Sequence, residues 1–141
     1  MITVCIDTNV VLGMFTSGHP HRPIHDAWQA GKLIWAVTTE ILLEYEEVLQ
    51  IRSGKPKADR MMHLIEIVGG LHGNVRHVSP TYRFRLIVGD PDDDKFADAA
   101  IAAEARYIIT DDGDFSVISG KSGRPVAITP AEFIRDVLPQ L

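Results

Sequence analysis

Val4-Cys5-Ile6-Asp7-Thr8-Asn9 is a short apolar run that ends abruptly in an acid, a hydroxyl and an amide. Residues 2–6 are rich in β-branched and apolar side chains, as expected of a strand buried on both faces of a parallel sheet. Thr8 and Asn9 can cap a helix, which Val10, Val11, Leu12, Met14 and Phe15 continue. Asp7 therefore falls where the first strand gives way to the first helix. In an open α/β sheet, ligands and catalytic groups collect at that carboxyl edge. A plain helix cap is the competing reading of Asp7, and the residue alone does not separate the two.

Later stretches repeat the pattern. Leu33 to Val37 reads as a second strand, and Thr38-Thr39 opens a helix that runs to about Gln50. At ~100° per residue, Ile41, Leu42, Tyr45, Val48, Leu49 and Ile51 form one apolar arc, and Glu44 falls inside it. A carboxylate on a packed face needs a partner, because burying it unpaired is costly or forces it to protonate. A partly exposed Glu at the edge of the stripe is the alternative. Tyr107-Ile108-Ile109 forms another strand and ends in Thr110-Asp111-Asp112-Gly113-Asp114. An Asx-turn explains one acid there more easily than several. Before it, Asp92 or Asp93 can cap a helix running to about Ala105, whose many alanines suit close packing on the sheet. Asp94 and Asp98 share a face of that helix.

The remaining segments are expected to be structural. Pro23 opens a helix over about Ile24 to Ala30, ended by Gly31. A helix over about Ala58 to Val68 ends at Gly69-Gly70, and Asn74 to Val78 forms a short third strand. Pro125 to Ile128 is the last strand, and Thr129-Pro130-Ala131-Glu132 opens a final helix to about Leu138. His19, His21 and His25 lack the cysteines or second pair of a familiar zinc site and read as a solvated loop near the mouth of the site. Tyr82-Arg83-Phe84-Arg85 can stack on a nucleic-acid strand, although a half-buried edge segment is the simpler reading.

The chain has 141 residues, 45% apolar and 23% charged, which suits one domain spanning residues 1–141 with a real core. No apolar run approaches the ~20 residues of a membrane span, and the N-terminus lacks the features of a secretory signal, so the expectation is a cytoplasmic protein. The lone cysteine, Cys5, reads as a small buried thiol. With 14 basic and 19 acidic residues, the net charge of −5 has the wrong sign for simple phosphate-backbone binding. Acids that converge on divalent cations would have their charge cancelled.

Alternating strands and helices, joined by right-handed crossovers, put all strand ends on one edge of a parallel sheet. Asp7 and Asp112 then lie at the ends of two strands, Asp94 at the start of the helix feeding the second, and Glu44 on a neighbouring helix. Four carboxylates within ~5 Å repel by about 3 kcal/mol per pair even at an effective dielectric near 20. Such a cluster needs cations, and oxygen ligands select hard ones, Mg²⁺ or Mn²⁺. Without a Walker loop or an evident nucleophilic Ser or Cys, that arrangement points to phosphodiester hydrolysis by metal-activated water. Asp7, Glu44, Asp94 and Asp112 are the expected direct or water-mediated ligands, with Asp98 and Asp114 as second choices and Asn9 and Thr110 in support. Arg52, Lys55, Lys57, Arg60, Arg83 and Arg85 are candidates for an RNA path, or plain surface charges.

Asp7-Thr8-Asn9 after a strand, Glu44 in the next helix but one, Asp94 opening an alanine-rich helix and Thr110-Asp111-Asp112 after a strand together resemble the PIN domain. Asp90 to Phe96 is similar to the Asp-Pro-x-Asp-Asp-x-Phe segment of bacterial and archaeal PIN proteins assigned as toxins of toxin–antitoxin systems. The resemblance covers nearly the whole chain. It implies a three-layer α/β/α fold with about five strands, Mg²⁺- or Mn²⁺-dependent ribonuclease activity, homodimers, and a small antitoxin that blocks the site. Two other functions stay open. In a metal-dependent phosphatase Asp7 would be the nucleophile, although Asn9 stands where the haloacid dehalogenase type usually carries a second acid. The other is a non-catalytic PIN-like interaction module.

Overall fold

In a computed structural model that describes residues 1–80, 94–113 and 125–141, five parallel strands form one sheet. β1 (Ile2–Ile6) is central, β2 (Leu33–Val37) and then β3 (Val75–His77) lie on one side, and β4 (Tyr107–Ile109) and then β5 (Val126–Ile128) on the other. Val4, Cys5 and Ile6 are all 0% exposed. Successive strand residues point to opposite faces, so both faces are covered and the architecture is a three-layer α/β/α sandwich. The covering helices are α1 (Thr8–Met14), α2 (Arg22–Gln29), α3 (Thr39–Ser53), α4 (Lys55–His72) and α5 (Asp94–Ala102). A short α6 (Pro130–Glu132) passes into a π turn and a 3₁₀ turn ending at Gln140. Among the described residues no helix is long and apolar enough to cross a membrane.

The strand order has a direct consequence for function. The chain moves outward from β1 through β2 to β3, then returns to place β4 on the other flank of β1. The direction of progress thus reverses between β1 and β4, which makes the crevice beyond their carboxyl ends the natural ligand site of an open α/β sheet. The ladder continues past both strands. Asp7 N–H donates to Ile109 O at 3.0 Å and Thr110 N–H to Ile128 O at 2.9 Å, which sets Asp7 and Thr110 side by side on that edge.

Aromatic packing joins the layers. Trp28 of α2, Trp35 of β2, Tyr45 of α3 and Phe96 of α5 are buried in sequence, with ring centroids 5.3, 5.7 and 6.3 Å apart along the chain of contacts. The Tyr45 hydroxyl donates to the Ile6 carbonyl, anchoring α3 to the last residue of β1. Ala97, Ala99 and Ala100 are buried, and their small side chains let α5 lie close against the strands.

Some boundaries differ from the sequence expectation. α3 continues to Ser53, and Ile51, expected on its apolar arc, is 78% exposed because the inward stripe is carried by Ile41, Tyr45 and Leu49 alone. α4 starts at Lys55 and runs through Gly69 and Gly70 to His72. Gly69 is kept in the helix by packing: a Cβ there would meet the Val75 side chain at 2.9 Å, so the glycine admits β3. The actual stop is Gly73, left-handed at φ 63°, whose N–H caps the Gly69 carbonyl at 2.8 Å. α5 ends at Ala102, short of Ala105, and the final helix opens from a Thr129 cap as expected but loosens into a π turn at Phe133. The segment from Tyr82 to Arg85 lies outside the described residues.

Asn74 closes the join between α4 and β3. It is buried, its amide donates to Trp28 O at 2.7 Å, and its own carbonyl accepts Trp35 N–H at 2.8 Å. Asn74→Ala removes one of the two donors to the Trp28 carbonyl, which keeps Gly31 N–H at 2.9 Å, and should destabilise the fold by about 1 kcal/mol in urea unfolding. A midpoint equal to that of the unmodified chain would show that Asn74 pins nothing.

Candidate active site

Asp7 is the N-cap of α1 and 8% exposed, held where the extended backbone of β1 turns into helix. Oδ1 accepts Thr8 N–H and Oδ2 accepts the Thr110 hydroxyl, both at 2.8 Å. Thr110 Oγ1 in turn accepts Asp112 N–H at 3.0 Å. One hydroxyl therefore ties the acid after β1 to the loop after β4. Capping and catalytic readings of Asp7 are compatible: one oxygen caps the helix while the other belongs to the crevice.

Glu44 reaches the same place from α3. Oε2 accepts the Thr8 hydroxyl, and Oε1 lies 2.6 Å from Lys95 Nζ of α5. This supplies the partner that a carboxylate on a packed helix face requires. Thr8 and Lys95 were not singled out from sequence. Thr8 has a second role behind its apparent capping one, and the available signal for Lys95 was a lone cation on the inward, alanine-rich part of its helix.

The other acids spread along the sheet edge. Asp94 is the first residue of α5, and its side chain lies outside the described part. Asp98, one turn later, is buried and lines a pocket of about 210 Å³ with Thr38, Thr39, Val78, Pro80 and Lys95, beyond the ends of β2 and β3. Asp112 borders a shallow pocket with Thr110, Thr129 and Glu132 beyond β4 and β5. Asp92, Asp93, Asp114, Arg83 and Arg85 lie outside the described residues.

Around this centre, Asn9 is exposed on α1 and shares an open groove of about 380 Å³ with Thr16, His19, Arg52 and Ser53. Lys55 is paired with Asp59 at 2.8 Å, and Lys57 and Arg60 line a separate hollow near Phe15. The histidines do not behave as one solvated loop. His25 is buried in α2 against Phe15 and Trp28, with Nδ1 3.0 Å from Asp26. His19 and His21 pack edge to face beside Gly13, where any Cβ would collide with both rings. Burial and the neighbouring His19 push the His21 imidazole below its ordinary value. Burial likewise pushes the Cys5 thiol up to about 12, which leaves it inert at neutral pH.

Burial also pushes the Asp7 carboxyl above the usual aspartate value, and the charges of Asp112 and Glu44 add to the rise against the pull of the Thr110 and Thr8 hydrogen bonds. Among the described residues no three acids, imidazoles or thiols stand close enough to hold an ion by themselves. The chemistry of the donors nonetheless fits a hard divalent cation: the set is all oxygen, and its buried member is disfavoured as an anion by its own neighbours. Asp7, Asp112 and Glu44 supply that set, and α5 begins with a fourth acid.

The raised Asp7 value means the folded, metal-free chain holds this proton more tightly than the unfolded one. Ionised Asp7 thus opposes folding, fully so above its native value and not at all below the ordinary aspartate value of ~3.9. Asp7→Asn, which keeps the cap, should raise the denaturant midpoint of the metal-free protein at pH 7, with the gain disappearing near pH ~3.5. Equal midpoints at pH 7 would mean that Asp7 is not strained by its surroundings.

A family model described as the PIN domain matches residues 3–114, from β1 through the loop after β4. No curated protein matches the chain. PIN domains are generally nucleases and generally use divalent metals. The matched span includes Asp7, Glu44, Asp94 and Asp112, and on a parallel sheet with acids at its central switch point it is decisive: the chain belongs to the PIN domain family.

Proposed function

We propose that this protein is a divalent-metal-dependent endoribonuclease that hydrolyses phosphodiester bonds of single-stranded or structured RNA. The observation that carries the proposal is the Asp7–Thr110–Asp112 chain of hydrogen bonds at the β1/β4 crevice. It ties the Asp7 carboxylate to the backbone of Asp112 in the turn after β4, with Glu44 brought alongside by α3. Asp7, Asp112, Asp94 and Glu44 would hold Mg²⁺ or Mn²⁺, directly or through water. When bound, such an ion lowers the pKa of a water and steadies the charge that develops on the phosphoryl oxygens.

The chain's own groups do the rest. Thr110 donates its single proton to Asp7 Oδ2 and, with Thr8 N–H on Oδ1, fixes that carboxylate's rotamer, so that a remaining lone pair of Asp7 would receive the proton of the attacking water. Lys95 and Thr8 hold Glu44 against α1. The groove lined by Asn9, Thr16, His19 and Arg52 adjoins the site through Asn9 and offers an RNA strand one cationic side chain and several hydrogen-bonding ones. In-line attack leaves a 5′-phosphate and a 3′-hydroxyl.

The toxin role, a small antitoxin that covers the site, a homodimer and a cytoplasmic setting belong to the same proposal. Their support is the resemblance of Asp90 to Phe96 to the toxin-type PIN segment.

Single-stranded RNA should be cut with Mn²⁺ or Mg²⁺ and spared with EDTA, giving 5′-phosphate ends. Asp7→Asn and Asp112→Asn should each lower kcat/KM by about a hundredfold or more, and Thr110→Val by about tenfold. Cleavage in EDTA with 2′,3′-cyclic phosphate ends would overturn the mechanism, and an aspartyl phosphate trapped on Asp7 would favour a phosphatase.

A further inference from the structure

Lys95 is 9% exposed and stands on a helix whose other buried residues, among those described, are apolar apart from Asp98. A lysine seldom stays inside a protein unless its ammonium is paired. Its Nζ is 2.6 Å from Glu44 Oε1, while Glu44 Oε2 takes the Thr8 hydroxyl, so groups of this chain engage both oxygens of that carboxylate. Lys95 also borders the small pocket lined by Asp98, Thr38 and Thr39, and its ammonium lies 5.6 Å from the centre of the Phe96 ring. The pair spans two helices: it locks α5 to α3 beside the β1/β4 crevice.

We propose that Lys95 is the resident cation of the Glu44 limb of this site, so that the centre takes one divalent ion, on the Asp7 and Asp112 side. This rests on the metal-dependent reading above and narrows it. Where two ions about 4 Å apart serve a phosphoryl centre, each neutralises part of the carboxylate cluster and part of the charge that builds during attack. Here an ammonium tethered to α5 already neutralises Glu44. Lysine is a compact point charge that suits carboxylate and phosphate oxygens alike. Unlike an ion, it does not leave when the divalent concentration falls. Lys95 is a positioning residue: it holds Glu44 where Thr8 can grip it, and it keeps a positive charge beside the acids without occupying the limb where an ion would sit.

The test is a Mn²⁺ titration of the full chain by calorimetry, with free Mn²⁺ counted by electron paramagnetic resonance. The unmodified protein and Lys95→Arg should each bind one ion. Lys95→Met strips Glu44 of its cation and should bind a second Mn²⁺, or bind the first about tenfold more tightly. Glu44→Gln combined with Lys95→Met removes both charges and should return to one ion with an affinity within about threefold of the unmodified value. Two ions in the unmodified chain, an unchanged titration in Lys95→Met, or a double variant that no longer binds would each overturn the assignment. Failure of the unmodified chain to bind Mn²⁺ at all would instead overturn the metal-dependent reading beneath it. Circular dichroism melts establish that each variant is folded, and should Lys95→Met alone not fold, the near-isosteric double variant decides.

Discussion

The Thr110 hydroxyl is the joint on which the site depends. It has one proton to give and lone pairs to receive with; the proton goes to Asp7 and a lone pair takes the Asp112 N–H. Charge-assisted bonds of this kind are shorter and stronger than neutral ones, and here the bond crosses between two strands. Its geometry is inherited from the sheet: Asp7 N–H and Thr110 N–H both extend the parallel ladder one step past the named strands. The backbone thus decides how far apart the two acids stand, and the hydroxyl decides which way the first of them points.

That arrangement works against the stability of the fold. A carboxylate is pulled out of water, and two more are set within reach of it, so that its charged form is disfavoured at the pH where it is needed. Native proteins tolerate local disagreement of this sort chiefly at functional sites, where the rest of the structure over-determines it. The over-determination is visible in the run of Trp28, Trp35, Tyr45 and Phe96, which clamps α2, β2, α3 and α5 together, and in Tyr45, which ties α3 to the carbonyl of Ile6 immediately before Asp7. Glu44 immediately precedes Tyr45 in α3, so the residue that fixes the helix also fixes where its neighbour can reach.

Much of the fold was legible because the signals were redundant. The β-branched runs before Asp7 and Thr110, and the Thr38 and Thr129 caps, each carry a local physical preference that agrees with the global sheet. The failures have physical causes. Gly69 and Gly70 look like a helix stop, yet a helix edge that must let Val75 in at close range prefers a glycine inside it. Ile51 fits the edge of the apolar arc, but it lies about 200° round the helix from Leu49, and with the inward stripe carried by Ile41, Tyr45 and Leu49 it faces solvent. At the site, the acids could be read from their places after strands and on helix faces. Lys95 and Thr8 could not, because their importance lies in meeting Glu44 across three separate elements, and no periodicity within one element reports such a meeting. The histidines show the same limit: His25 is buried by Phe15 and Trp28, one from the preceding helix end and one from its own helix.

The surplus of acid in this chain has to be reconciled with a polyanionic substrate. Phosphate-backbone binders gain affinity by neutralising many phosphates with lysine and arginine, and they lose it steeply as salt rises. Of the described basic residues expected to form an RNA path, Lys55 is paired with Asp59, Lys57 and Arg60 line a separate hollow, and Arg52 lines the groove that adjoins Asn9. On the proposed reading, binding is concentrated where a cation held on the Asp7 limb meets the reacting phosphate, with Lys95 confined to neutralising Glu44 beside it. An ion gripped by buried oxygens in a crevice acts at lower effective dielectric than a lysine on the surface, so a few local charges can outweigh a repulsive field that solvent and salt screen within about 10 Å. The net charge then penalises general adhesion to nucleic acid, and what recognition remains is tied to the place where the bond is cut.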